Sequence, residues 1–214
     1  MKKIVAFFIR HGATDLNDPP DGSEERFRGD ADIGLNELGK QQAQELVPYF
    51  EGRNLSAAFH SEMQRTAQTL EPLMAAHNMK SVGVKALDSL NTGDFTGLPK
   101  TKEMRAKLDW FRKHPDVKIP GGEAVQEFRD RVDPKLMAVI RMGDEAGEPT
   151  VASVHGSIIR ELSRLLHDGD YNKLKVDNGG IVAVFKDTDS ADKEFFAQPV
   201  LKENPAEEDI PAGS

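Results

Sequence analysis

Apolar residues follow two periods along this chain. From Ile4 to Ile9 they form an unbroken run, IVAFFI, bounded by Lys2 and Lys3 before it and by Arg10, His11 and Gly12 after it. A short run with apolar residues on both alternating faces predicts a strand buried on both sides of a sheet. LSAAFH (55–60), PTVASV (149–154) and GGIVAVFKD (179–187) predict further strands, and SVGV (81–84) a brief one. Between them the spacing changes to three and four. Leu38, Leu46, Val47 and Phe50 predict a helix with Asn36 as N-cap and Pro48 ending or kinking it. Met63, Ala67, Leu70 and Met74 predict a second. A charged helix over Thr101–His114 turns Met104, Leu108 and Trp110 or Phe111 inward. Val125, Phe128, Val132, Leu136 and Val139 line a long helix bent at Pro134, and IIRELSRLLHD is amphipathic. Strands alternating with helices predict an α/β fold: three layers, with a mostly parallel central sheet covered by helices on both faces.

Residues 14–39, TDLNDPPDGSEERFRGDADIGLNELG, carry no apolar period and read as a long loop, a type that is often functional. The pattern supports one α/β domain over residues 1–190, followed by an acidic, Pro-containing tail over 191–214. The last dozen residues of the tail are expected to be disordered, with Phe195, Phe196, Val200 and Leu201 anchoring the part before them.

Charge and composition narrow the function. The chain has 214 residues and a formal net charge of −8, which disfavours binding to nucleic acid or an anionic membrane but leaves room for a local basic pocket. It contains no cysteine, hence no disulfide, thiolate nucleophile or Cys-ligated zinc, which fits a reducing, cytoplasmic location. The Met-Lys-Lys start with its short apolar run is cut by Arg10 and His11, so a soluble, unprocessed chain is expected. His60, His77, His114 and His167 show no metal-ligand spacing, and neither a metal nor a cofactor is expected.

Three predicted strands end in similar chemistry: FFIRHG at His11, AAFHSEMQR at His60 with Arg65 behind it, and SVHGS at His155. In an open parallel sheet these ends share one rim, where ligands bind. Arg65 also falls near the start of its helix, which favours an anion, and Gly12 and Gly156 would let backbone approach a bound group. Arginine forks grip phosphoryl oxygens at any working pH. A neutral imidazole flanked by arginines is kept neutral and can attack phosphorus. A second, protonated histidine would share the transition-state charge with the arginines. Arg26 or Arg28 in the long loop is in reach of a second anionic group.

RHGATDLN (10–17) resembles the Arg-His-Gly-x-Thr-x-x-Asn signature of the histidine phosphatase superfamily, the phosphoglycerate-mutase-like proteins. RFRGDADIGLNELGKQQA, HSEMQRTAQTL, PGGEAVQEFRDRV and VASVHGSIIREL resemble its later motifs in the same order. The resemblance implies a phosphohistidine at His11, phosphate contacts from Arg10, Arg65 and His155, and help from Thr14 and Asn17. It implies a metal-independent phosphomonoester hydrolase acting on a small phosphate ester. The alternatives are mutase-type phosphoryl transfer, which the short interval between Gly97 and Gly121 disfavours, and a catalytically weak phosphate-binding protein. A homodimer is compatible with all three. One position departs from the pattern: the equivalent of the family's catalytic Glu before the Gly-x-aromatic-x-Gly stretch falls near Ser89, ahead of GDFTG. Asp88 is the nearest carboxylate and the expected general acid, with Asp94 and Glu123 as weaker substitutes.

Overall fold

The computed structural model describes residues 2–187 and 194–200. Strands β1 (Lys2–Arg10), β2 (Ala57–His60), β3 (Ser81–Gly83), β4 (Thr150–Val154), β5 (Ile181–Asp187) and β6 (Phe195–Val200) form one sheet in the order β3-β2-β4-β1-β5-β6. The pairs β1/β4, β2/β4 and β2/β3 are parallel, whereas β5 runs antiparallel to both β1 and β6. The mostly parallel α/β sheet expected from the alternation is therefore present, with β5 as the reversed strand. Its reversal matters for the site. The chain between α6 (Gly156–Leu166) and β5 crosses to the rim where β1 ends, and Arg10 N donates to Gly180 O there at 2.9 Å. Residues 195–200 lie beyond the domain boundary drawn at 190, yet Phe195 and Val200 are buried in the sheet's sixth strand. Leu201 and the C-terminal dozen lie outside the described residues.

Both faces of the sheet are covered, because residues of period two on β1, β4 and β5 divide between two cores. Phe7, Ile9, Val151, Ile181 and Phe185 pack with Leu46, Tyr49 and Phe50 from α2 (Leu46–Phe50), which follows α1 (Glu37–Gln44), and with Leu70 and Leu73 from α3 (Gln64–Ala76). Phe8, Val154, Val182 and Val184 pack with Phe128, Val132, Leu136, Ile158 and Leu162 from α5 (Val125–Ala146) and α6. Each such large side chain contributes about 1.5–3 kcal/mol by leaving water.

Asn36 caps α1 as predicted, its side chain accepting from Gly39 N. The predicted single helix over 36–50 is split at Glu45, because Pro48 has no N–H to offer the Gln44 carbonyl. Helix α5 instead runs on through Pro134. In α4 (Lys102–Lys113), Leu108 is buried and Phe111 packs on the core, while Trp110 is 47% exposed. The inward face of α3 differs most from its reading: Ala67 is only half-buried, and Arg65, Thr66 and Thr69 are buried beside Leu70 and Met74. Among the described residues no helix is long and apolar enough to cross a membrane.

Candidate active site

Sheet register brings the strand ends together. Arg10 lies opposite Val154, and Ser153 opposite both Ile9 and His60, so His11, His155 and Ser61 leave the sheet at one rim. The His11 and His155 rings are 5.4 Å apart, tilted by 59°. Helices α1 and α3 brace the turn after β1: Gly12 N donates to Thr69 Oγ1, Ala13 N to Gln42 Oε1, and Asn36 N to Ala13 O. A Cβ on Gly12 would stand 2.6 Å from Gly39 O. Gly12 is thus required by the backbone of α1, whatever group the site binds. A Cβ on Gly156 would make only ordinary contact with Arg10.

His11 has a defined tautomer. Its Nδ1 lies 2.7 Å from the Gly12 carbonyl, and a carbonyl can only accept, so Nδ1 carries the hydrogen. Nε2 is left with its lone pair, buried and without a hydrogen-bond partner. Burial first, then the charges of Arg28, His155 and Arg65, hold the ring's pKa well below 6.5, against a smaller opposing effect of the Gly12 hydrogen bond. The arrangement is a neutral imidazole whose free nitrogen is the nucleophilic one.

His155 and Arg65 are arranged differently from expectation. Arg65 Nε donates to His155 Nδ1 at 3.3 Å, so the His155 hydrogen is on Nε2, which donates to Ser61 Oγ at 2.7 Å. The ring is neutral, and burial followed by the Arg65 charge keeps its pKa well below 6.5. A protonated His155 is therefore not the resting state. Arg65 is fully buried, and its other nitrogens donate to Ala31 O (2.6 Å), Gly29 O (3.4 Å) and Met63 Sδ (2.8 Å).

A cavity of about 540 Å³ opens over this rim, lined by Arg10, Arg28, Gly29, His155 and Gly156 among others; His11 and Arg65, both fully buried, adjoin His155. Its wall is cationic. Arg10, Arg28, Lys100, Arg105, Arg112, Arg160 and Lys175 face two carboxylates, Glu25 and Asp177. Arg10 Nη1 is fixed on Val176 O at 2.9 Å, and its buried Nε has no partner. Burial tends to raise the Glu25 carboxyl, but its hydrogen bond to Lys100 (2.5 Å) and the charges of Lys100, Arg28 and Arg10 bring it below the ordinary carboxylate range. Lys100 is pushed down to about 8 by burial and then by Arg28.

Several predicted residues do not reach this cavity. Thr14 and Asn17 bond to each other, Oγ1 to Oδ1 at 2.8 Å, and Asn17 reaches Asn178, which in turn donates to the carbonyls of His11 and Gly12. Through Asn178 they help hold the His11 backbone, and neither is in the cavity lining. Asp88 is also turned away: its Oδ1 accepts from Glu62 N at 2.9 Å, and its pKa is raised by burial against that bond. Glu123 is paired with Arg131 at 2.7 Å, and neither it, Asp94 nor Asp88 lines the cavity, whereas Ser89 does. The general-acid assignment to Asp88 accordingly has no support from this geometry. Asn178, Lys100, Arg105 and Arg112 were not singled out from sequence, because isolated polar residues in loops or on a charged helix carry no periodic signal. Among the described residues, no cluster of three or more His, Cys, Asp or Glu could hold a metal ion.

Comparison with known proteins gives the family. A family model described as histidine phosphatase superfamily (branch 1) matches residues 6–194. A 2,3-bisphosphoglycerate-dependent phosphoglycerate mutase of Sinorhizobium fredii is 30% identical over 170 residues, 74% of this chain and 77% of that protein. Phosphoglycerate mutase-like protein 4 of Arabidopsis thaliana is 28% identical, covering 72% of this chain and 67% of that protein. Among solved structures, a phosphoglycerate mutase from Bacillus anthracis superposes with a TM-score of 0.73 at 20% identity, covering 93% of each chain. A mycobacterial glucosyl-3-phosphoglycerate phosphatase gives 0.68 at 24%, covering 87% of this chain and 91% of the other. The chain belongs to the histidine phosphatase superfamily, whose members are phosphatases and mutases.

Proposed function

We propose that this protein is a metal-independent phosphomonoester hydrolase that works through a phosphohistidine on His11. One observation carries the reading: Nδ1 of His11 is committed to the Gly12 carbonyl while the buried Nε2 has no partner. The Nε2 lone pair attacks phosphorus as the bond from phosphorus to the leaving oxygen breaks. The ring then carries positive charge, which the Gly12 carbonyl stabilises through Nδ1–H. Water attacks phosphorus in the second step and returns Nε2 to its free state. The cationic cavity wall offsets the charge on the phosphoryl oxygens in both steps.

Leaving-group chemistry follows from the carboxylates. Glu25 is held ionised by Lys100, Arg28 and Arg10, so it is a poor proton donor. Substrates whose leaving oxygen departs as a stable anion are therefore favoured over simple alkyl phosphates. The test is hydrolysis of p-nitrophenyl phosphate with and without EDTA. Turnover unaffected by chelator and abolished in His11→Ala is the expected result; undiminished turnover in that variant contradicts the mechanism.

A second reading has its own support. Lys100, Arg105, Arg112 and Arg160 supply more positive charge than one phosphate needs, and a carboxylate or second phosphate on the substrate would use it. Several curated relatives are named as phosphoglycerate mutases. Phosphorus NMR of the protein with 3-phosphoglycerate separates the two: appearance of the 2-phosphate isomer indicates transfer to a hydroxyl, and appearance of inorganic phosphate alone indicates transfer to water.

A further inference from the structure

We propose that Arg160 is a specificity-determining residue, whose guanidinium binds a second anionic group carried by the leaving group of the phosphate ester. The proposal rests on the phosphoryl-transfer reading of His11 and assigns to one side chain the recognition of an anionic leaving group.

Pairing within the cavity wall singles out Arg160. Glu25 holds Lys100 at 2.5 Å, Arg105 at 3.3 Å and Arg28 at 3.4 Å. Arg112 is paired with Asp109, and Arg10 Nη1 donates to Val176 O. Among the described residues the Arg160 guanidinium makes no hydrogen bond and no ion pair. Lys175 is likewise unpaired, but it is exposed and hydrated by solvent, whereas Arg160 is half-buried. Burial and then the charges of Arg112, Arg105 and Arg10 lower its pKa, with Asp109 opposing them. A partly desolvated cation that has like charges around it and no partner of its own is unfavourable until an anion arrives.

The position of Arg160 agrees with its charge. It lies on α6 one turn after Gly156, and a helical side chain leans back over the turn that precedes it. Gly156 leaves that turn open on the cavity side, where a Cβ would stand 3.5 Å from Arg10 Nε. The buried Arg10 Nε has no partner either. Two guanidiniums with unengaged donors therefore share the wall over the start of α6, whose N-terminus adds positive potential. Arg10 adjoins His11 in the chain, so an anion on Arg160 belongs beside the group that is transferred, and the planar fork suits two oxygens of a carboxylate or phosphate.

Three aryl phosphates provide the test: phenyl phosphate, which has no second anion, and its 3-carboxy and 4-carboxy derivatives. The quantity measured is kcat/KM for each carboxyphenyl ester divided by that for phenyl phosphate, in wild-type protein and in Arg160→Gln. This ratio should fall by roughly 10–100-fold in the variant for at least one of the two esters, the cost of a lost hydrogen bond to a charged group. Dividing by phenyl phosphate removes any general loss of activity or of folded protein, and Arg160→Met should show the same fall if the glutamine variant folds poorly. Ratios unchanged for both esters overturn the proposal. Should wild-type protein cleave none of the three, the hydrolase reading falls by itself, and calorimetry with the corresponding phosphonates decides the role of Arg160. At least a tenfold loss of affinity for a carboxyphenylphosphonate, relative to phenylphosphonate, supports it; an unchanged relative affinity refutes it.

Discussion

His11 owes its nucleophilic state to its own backbone. The next residue's carbonyl fixes the tautomer, burial removes the proton that would block attack, and among the described residues no carboxylate hydrogen-bonds to the ring. This differs from a triad, where a neighbouring acid orients the base. The types at positions 10, 11, 65 and 155 could be read from the sequence because each follows a strand end or opens a helix. Their partners could not be read, since the Gly29 and Ala31 carbonyls that Arg65 holds lie in a loop with no periodicity. Asp88 illustrates the same limit: its neighbour Ser89 lines the cavity, while its own carboxylate accepts from Glu62 N. Asp88→Ala is expected to cost about 1 kcal/mol of stability through that hydrogen bond. Its effect on alkyl phosphate turnover should stay well below the ~100-fold that loss of a general acid brings. Denaturant melts and steady-state kinetics on the same preparation check both.

At the level of elements, the site is an outcome of parallel strands ending in register, with two helices braced against the turn after β1. The apolar runs located β1, β2, β4 and β5, but the runs alone do not show that β5 is reversed, because a strand buried on both faces has the same pattern in either direction. That reversal brings Val176 to Arg10 and Asn178 to His11. The α1 contact is equally specific. A Cβ on Gly39 would stand 2.1 Å from Ala13 O, a backbone atom that cannot move aside without carrying His11 with it. Gly39→Ala should therefore destabilise the protein by about 1–3 kcal/mol and depress turnover, although residue 39 does not line the cavity. Near-normal kcat in a folded Gly39→Ala protein would show that α1 does not position the turn.

For the whole molecule, an acidic chain of net charge −8 concentrates seven Arg and Lys side chains around one cavity, a separation of charge that composition averages away. Two buried neutral histidines at this rim also give stability a pH dependence. The pKa values of His11 and His155 are depressed by folding, while the unfolded chain protonates both near 6.5. Below that pH the unfolded state binds more protons, so their contribution is fully present above 6.5 and is lost as pH falls toward the folded values. The slope approaches about 1.4 kcal/mol per pH unit for each ring. Chemical denaturation in phosphate-free buffer between pH 7.5 and 5 should show this decline, and it should be shallower in His11→Gln; parallel profiles for the two proteins would contradict it.

The central claim, that Nε2 of His11 receives the phosphoryl group, is tested most directly by nitrogen–phosphorus correlation NMR. Protein labelled with nitrogen-15 in histidine would be trapped during turnover of an aryl phosphate and quenched without acid. The account predicts one phosphohistidine, on His11, with phosphorus coupled to Nε2 and with Nδ1 still protonated toward Gly12 O. Phosphorus on Nδ1, on another side chain, or on no histidine while turnover proceeds would contradict it.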